Sequence, residues 1–175
     1  GASTFSFRET IPALSPRYAV AALDLPGFGY SDRSTQQCLS STGQAEIVAK
    51  FMHRRGMEGS LVVAHSMGGA VALRVAHAHP HLVSRLVLVG TMHPNLSFMG
   101  HRRAILAQPL LPLVPFFSGL ARLLRLHTMR RAVHDPAFLT PAILAGYDRP
   151  GRIRGSQAAA HRMLLDAAED SAINL

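Results

Sequence analysis

The chain has 175 residues, of which 48% are apolar and 16% are charged. This composition suits one domain with a hydrophobic core and excludes long disordered stretches. The net charge of +8 comes from arginines spread along the chain, without interleaved aromatic residues or helix-turn-helix spacing, so no nucleic-acid partner is expected. Cys38 is the only cysteine, which excludes an internal disulfide and a multi-cysteine metal site. We expect no metal and no cofactor.

The first segments predict a helix, a strand and a sharply bent loop. The residues from Arg8 to Leu14 are typical of a short helix, which ends at Ser15-Pro16. The apolar run from Tyr18 to Leu23 is bounded by turn residues, as in a strand buried on both faces. The stretch from Asp24 to Asp32 contains a proline and two glycines, so the chain must bend sharply there.

The next segments alternate between helix and strand. Thr42 can cap a helix that runs to about Arg55. Buried strands are predicted at 61–64 and 83–89, and the helix between them ends near His79. Because the links are short, this order predicts a parallel sheet with crossover helices.

The pattern changes after Pro94. Residues from about 97 to 175 show no clear strand and indicate a set of helices broken by six prolines. These are Pro109, Pro112, Pro115, Pro136, Pro141 and Pro150. We therefore predict an α/β fold, with a three-layer parallel-sheet core over residues 1–95 and a helical cap over residues 96–175.

The chemically informative segment joins the second predicted strand to the following helix at Ser66. A serine hydroxyl becomes a nucleophile when a base takes its proton and donors stabilise the oxyanion that forms. A tight strand-to-helix turn lifts the serine above the sheet and aims helix N–H groups at the substrate oxygen. Because such a turn is strained, the residues two before and two after must be small, and they are Ala64 and Gly68. Gly69 would let the helix pack closely on the sheet; the alternative is an ordinary helix-capping serine.

These residues resemble the nucleophile elbow of the α/β-hydrolase superfamily, Gly-x-Ser-x-Gly, with Ala64 in place of the first glycine. The stretch from Asp24 to Asp32 resembles the loop after the preceding core strand in many members. The stretch from Gly1 to Phe5 resembles the tail of the family's oxyanion loop. The stretch from Tyr147 to Pro150 resembles a segment of its helical caps.

The resemblance implies a role for each residue of the turn. Ser66 would be the nucleophile, and Met67 would donate its backbone N–H to the oxyanion. His65 would point away from Ser66 and pack within the turn. In the family the acid and the histidine follow the nucleophile on turns after later core strands. We identify neither here, and we expect an internal fragment that lacks the first core strands and the acid and histidine part, with little or no hydrolysis from these 175 residues alone.

Internal histidines and acids are weaker candidates for the missing partners. His93 follows the third predicted strand and is the least implausible substitute for the base. We expect His77, His79 and His81 to lie on the surface. A metal site at these histidines is not expected, because no carboxylate lies near them in the sequence. Asp24 and Asp32 are expected to order their loop. The later carboxylates are expected to cap helices or face solvent: Asp135, Asp148, Asp166, Glu169 and Asp170.

Residues 104–121 form an uncharged apolar segment flanked by arginines. Its three prolines argue against a membrane-spanning helix. We expect it to line the entrance above Ser66, which favours a small hydrophobic substrate. Weak contact of the neighbouring arginines with an anionic membrane surface stays open. No signal peptide is visible, so a cytoplasmic location is expected, and the oligomeric state is not predicted.

Two classes of function follow. The first is a serine hydrolase of esterase or lipase type that acts through an acyl-enzyme on a small hydrophobic ester. A serine at the turn argues against the dehalogenases and epoxide hydrolases of the superfamily, which use Asp there. It leaves open carbon–carbon hydrolases, perhydrolase-type haloperoxidases, amidases and acyltransferases. The second class is a non-catalytic protein of the same fold that binds a ligand or a partner.

Overall fold

The computed structural model describes residues 3–33, 38–91, 127, 129–131, 133–166 and 173. Contacts divide the chain into two compact units. The first unit comprises Gly1, Ser34–Arg102 and His161–Leu175, and the second comprises Ala2–Arg33 and Arg103–Ala160. This grouping differs from the division at residue 95 drawn from the sequence, because each unit combines segments that are far apart along the chain.

The first unit contains a parallel pair of strands. Strand β1 spans Ser60–His65, and strand β2 spans Val83–Val89. The pairing runs parallel from Leu61 opposite Arg85 to His65 opposite Val89. A helix and a short 3-10 helix, Pro80–Leu82, connect the strands. The predicted strands at 61–64 and 83–89 and their parallel arrangement are confirmed.

Two helices supply most of the core of this unit. Helix α2 spans Ser41–Arg54 and buries Ala45, Ala49 and Met52, which lie on one face at helical spacing. Helix α3 spans Met67–Ala78 and buries Val71, Ala72 and Val75. It packs on α2 and on both strands. The cap of α2 is Ser40, whose Oγ accepts from the N–H of Gly43 at 3.0 Å, so the prediction of Thr42 as the cap was wrong by two residues.

The two strands are less covered than predicted. Leu61 is 54% exposed, and three successive residues at the end of β2, Val87, Leu88 and Val89, are 40–51% exposed. Since successive side chains of a strand point to opposite faces, both faces of β2 are open at that end. The expectation of strands buried on both faces was wrong because, among the described residues, the sheet has two strands.

The second unit is built from short helices. A 3-10 helix at Thr4–Phe7 and helix α1, Thr10–Leu14, come first, as the sequence indicated for 8–14. A 3-10 helix at Pro136–Phe138, helix α4 at Pro141–Asp148 and a 3-10 helix at Arg149–Arg152 follow. Helix α5, Ser156–Asp166, begins in this unit and ends in the first.

An aromatic contact joins the two ends of this second unit. The rings of Phe5 and Tyr147 meet edge to face at 5.0 Å. Phe5 also fills the space beside Gly146, where a Cβ would overlap the ring. The guanidinium of Arg8 lies over the ring of Phe5, 4.6 Å from its centroid. The N-terminal segment is therefore packed on α4.

One predicted strand is wrong. Residues 19–25 have no regular secondary structure, and Tyr18, Val20 and Leu23 are 37–64% exposed. A buried parallel strand needs neighbours that supply hydrogen bonds and cover its side chains. No described strand pairs with this segment. An apolar run bounded by turn residues is therefore not sufficient evidence to predict a strand.

The apolar segment 104–121 and its predicted lid role lie outside the described residues. No helix in the described ranges is both long enough and apolar enough to cross a membrane.

Candidate active site

Ser66 lies in the turn between β1 and α3, and its backbone conformation is one that residues other than glycine rarely adopt. Its φ is 55° and its ψ is −125°. Among the described residues it is the one non-glycine residue with positive φ. Such a backbone costs about 1–3 kcal/mol and persists where the surroundings impose it, which is common at active sites. The sequence analysis expected strain at this position, and the backbone shows it.

Backbone hydrogen bonds hold Ser66 on both sides of the turn. Its N–H donates to the carbonyl of Val89 at 3.0 Å, which continues the strand pairing by one residue. Its carbonyl accepts from the N–H of Gly69 at 3.0 Å, which starts the helix. The Ser66 side chain makes no capping hydrogen bond to α3. The capping alternative therefore does not describe this serine, whose hydroxyl stays available for another partner.

Close packing at the start of α3 falls on Gly69. A Cβ at Gly69 would overlap the side chain of Thr91, which follows β2. A Cβ at Gly68 would meet no described atom within 4 Å. The Thr91 Oγ1 is buried and has no hydrogen-bond partner in this part of the chain. The close approach of sheet and helix is therefore at Gly69, the residue for which the sequence predicted it.

The other residues of the turn differ in burial. Ala64 is 7% exposed, which fits the small residue predicted two positions before Ser66. Met67 is the first residue of α3, where backbone N–H groups have no acceptor within the helix. His65 is exposed, it pairs with Val89 in the sheet, and its side chain makes no hydrogen bond to a described residue, so its packing role stays a prediction. Side chains alternate along a strand, so burial of Ala64 sends His65 to the opposite face.

No described histidine or carboxylate is hydrogen-bonded to Ser66. His79 Nε2 instead lies 3.2 Å from Oε1 of Glu46, a carboxylate that is distant from it in the sequence. His77 and His81 are exposed, as predicted. His93, the least implausible internal base, lies outside the described residues. Groups of three or more side chains suited to a metal do not occur within the described ranges.

A family model described as the alpha/beta hydrolase fold matches residues 1–113. The chain belongs to the α/β-hydrolase fold family. It is 30% identical over 159 residues to an uncharacterized hydrolase, YugF, of Bacillus subtilis, covering 85% of this chain and 54% of that protein. It is 33% identical over 92 residues to the 2-hydroxymuconate semialdehyde hydrolase of Pseudomonas putida, covering 53% of this chain and 30% of that one. The chain therefore spans about half or less of the length of these relatives.

Solved structures support the same fold. The epoxide hydrolase CorEH superposes with a TM-score of 0.73 at 22% identity, covering 96% of this chain and 64% of that one. The wild-type protein Cfl2 of Burkholderia cenocepacia superposes with a TM-score of 0.75 at 23% identity, covering 96% and 62%. At this level of identity the likeness concerns the fold alone. The predicted α/β-hydrolase fold is confirmed.

Sequence reasoning missed two buried or half-buried charged residues of this chain. Asp166 was expected to cap a helix or face solvent, but it is 2% exposed. Its carboxylate accepts from the N–H of Leu39 at 2.7 Å and pairs with Arg162 at 2.5 Å. Arg33 donates to two acceptors, the Ser156 hydroxyl and the Pro150 carbonyl, in one distant segment. The spacing of Arg162 and Asp166, four residues apart on a helix, was a signal for their pair, but nothing local indicated the distant acceptors.

The expectation that Asp24 orders its loop is confirmed. Its carboxylate accepts from the N–H of Thr4 at 2.6 Å and from the N–H of Tyr30 at 2.8 Å. Its own carbonyl accepts from the Ser31 hydroxyl at 2.5 Å. Each carboxylate oxygen of Asp24 thus accepts one backbone N–H and ties two segments of the chain together. Asp24 therefore acts as an organising residue of the second unit.

Proposed function

We propose that the protein is a serine hydrolase that cleaves a small hydrophobic ester through an acyl-enzyme on Ser66. The observation that carries the proposal is the positive φ of Ser66 at a strand-to-helix turn, together with a hydroxyl that does not cap the helix. Membership of the α/β-hydrolase fold family supports it, because a strained nucleophile at this turn is the family's catalytic arrangement.

In the proposed reaction a base removes the hydroxyl proton as Ser66 Oγ bonds to the ester carbonyl carbon. The carbonyl oxygen becomes an oxyanion, which the backbone N–H of Met67 stabilises at the start of α3. The carbon–oxygen bond to the alcohol then breaks, and the alcohol leaves with the proton from the base. Water, deprotonated by the same base, attacks the acyl-enzyme, and the acid is released as Ser66 regains its proton. The base and its acid partner are not assigned to residues of this chain.

A carbon–carbon bond hydrolase is the second candidate. One relative, 33% identical over 92 residues, is a 2-hydroxymuconate semialdehyde hydrolase. The two candidates differ in the bond broken and not in the turn that presents the serine. A panel that contains p-nitrophenyl esters and a vinylogous 1,5-diketone would separate them.

The hydrophobic character of the substrate rests on the apolar segment 104–121, read from the sequence. Contact of its flanking arginines with a membrane surface stays a prediction, as do a cytoplasmic location and the absence of a nucleic-acid partner.

The test uses the full-length protein and two measurements on matched variants, ester hydrolysis and covalent labelling. We expect hydrolysis of p-nitrophenyl butyrate, and a fall in kcat of at least about 10³-fold for Ser66→Ala, since removal of the nucleophile leaves only binding and oxyanion contributions. A fluorophosphonate probe should form one covalent adduct, at Ser66. Ser84→Ala is the control, because Ser84 is an exposed serine of β2 whose loss should change neither measurement.

The outcomes separate the hypotheses. Full turnover or full labelling in Ser66→Ala would refute the assignment of the nucleophile. A folded wild-type protein with no turnover on either substrate class and no labelling would favour the non-catalytic binding protein.

A further inference from the structure

The guanidinium of Arg33 joins two segments that lie far apart in the sequence. Its Nε donates to Ser156 Oγ at 2.9 Å, and its Nη2 donates to the carbonyl of Pro150 at 3.3 Å. These partners are 123 and 117 residues away from it. Its Nη1 donates to the carbonyl of Ser31, and Nη2 also reaches the carbonyl of Gly29. One half-buried side chain thus serves four acceptors.

The acceptors on the loop side are fixed without help from Arg33. Tyr30 is held by the Asp24 carboxylate, and the Ser31 hydroxyl by the Asp24 carbonyl. Gly29 has a φ of 55°, and a Cβ there would overlap the Asp24 carboxylate, so the chain passes too closely for a larger residue. The N–H of Gly27 donates to the carbonyl of Asp32 at 2.8 Å and closes the loop. These contacts fix the positions of the two carbonyl oxygens that Arg33 binds, those of Gly29 and Ser31.

The acceptors on the other side are also arranged locally. The Ser156 hydroxyl donates to the carbonyl of Pro150 at 2.8 Å, which brings the two acceptors together. Gly155 has a φ of 88°, and a Cβ there would lie 3.3 Å from the Cβ of Arg33. Pro150 is buried. The segment Pro150–Ser156 is thus shaped to approach the arginine closely.

The four acceptors match the planar guanidinium group of an arginine and not the ammonium group of a lysine. Acceptors lie at Nε and at both Nη atoms of Arg33, whereas a lysine ammonium is a single point on a flexible stem. We propose that Arg33 is a positioning residue that holds the segment Pro150–Ser156 on the loop from Asp24 to Arg33. Resting on the proposed function, we expect Arg33 to affect the affinity for substrate and not the chemical step, because its four hydrogen bonds lie within the second unit and none reaches Ser66.

The first test measures hydrogen–deuterium exchange in the full-length protein. We expect Arg33→Met and Arg33→Lys both to raise exchange at least tenfold in the peptide covering residues 149–156, since lysine keeps the charge and loses the fork. The control is Arg154→Met, which removes an arginine charge from within the segment Pro150–Ser156 itself. Arg154 is exposed and makes no hydrogen bond to a described residue, so its loss should change exchange less than twofold.

Ser156→Ala is a second variant that keeps the proposal testable if Arg33→Met does not fold. It removes the acceptor for Nε and the donor to Pro150, and it should raise exchange in the same peptide. Wild-type exchange in Arg33→Lys, or equal exchange in Arg33→Met and Arg154→Met, would overturn the proposal.

The second test measures kinetics on p-nitrophenyl esters. We expect Arg33→Met to raise KM at least fivefold and to change kcat less than threefold, with Arg154→Met unchanged in both. A loss confined to kcat would overturn the positioning role. If the wild-type protein hydrolyses no ester, the proposed function fails, and the exchange measurements still decide whether Arg33 holds the segment.

Discussion

Replacing Ser66 by glycine should stabilise the protein while abolishing hydrolysis. The φ of 55° and ψ of −125° at Ser66 are disfavoured for any residue with a Cβ and allowed for glycine. Relief of strain would contribute about 1–3 kcal/mol. The greater freedom of glycine in the unfolded chain opposes this by about 0.5–1 kcal/mol. The net expectation is a gain of about 1 kcal/mol in the free energy of unfolding, or about 2–4 °C in Tm for a domain of this size.

Ser66→Ala separates strain from loss of the hydroxyl. Alanine keeps the Cβ and therefore the strain, and the hydroxyl makes no capping bond, so its stability should stay within about 0.5 kcal/mol of wild type. Urea unfolding of both variants and of the wild type, followed by circular dichroism, gives the comparison. The reasoning is refuted if Ser66→Gly is no more stable than Ser66→Ala.

Two further predictions concern packing and a buried carboxylate. Gly69→Ala should lower the free energy of unfolding by about 1–3 kcal/mol, because the new Cβ overlaps the side chain of Thr91. The matched control Gly68→Ala should change it by less than about 0.5 kcal/mol. Equal midpoints of urea unfolding for the two variants would contradict the close approach at Gly69. Asp166→Asn should lower the free energy of unfolding by about 1–3 kcal/mol, because it removes the negative charge that binds the Leu39 N–H and pairs with Arg162. It should also speed exchange of the Leu39 amide, and unchanged protection of that amide would argue against this role.

Local patterns predicted the elements around the candidate nucleophile well. The strands at 61–64 and 83–89 and the helix between them carry both their apolar pattern and their end signals within a few residues. The strain at Ser66 also followed from the sequence, since a strand must turn into a helix within one residue there. The cap of α2 was placed two residues late, because Ser40, Ser41 and Thr42 can all cap a helix and their residue types do not decide among them.

Features that depend on distant partners could not be predicted. The run from Tyr18 to Leu23 has the composition of a buried strand, but strand identity requires neighbours that its own residues do not specify. Asp166 was expected to cap a helix or face solvent, and Arg33 was not singled out, because the Leu39 amide that Asp166 binds and the Ser156 hydroxyl that Arg33 binds are more than 100 residues away. The assignment of the elbow rests on local geometry and was accessible, whereas the residues that hold the helical segments were not.

The bond between Asp166 and the N–H of Leu39 has a consequence for biosynthesis. The two residues are separated by 127 positions. At a synthesis rate of about 5–20 residues per second, the ribosome needs roughly 6–25 s to deliver Asp166 after Leu39. During that interval the loop before α2 lacks its carboxylate, and the apolar residues of β1 and β2 are already made. The nascent chain therefore passes through a period in which chaperone binding would protect it from aggregation.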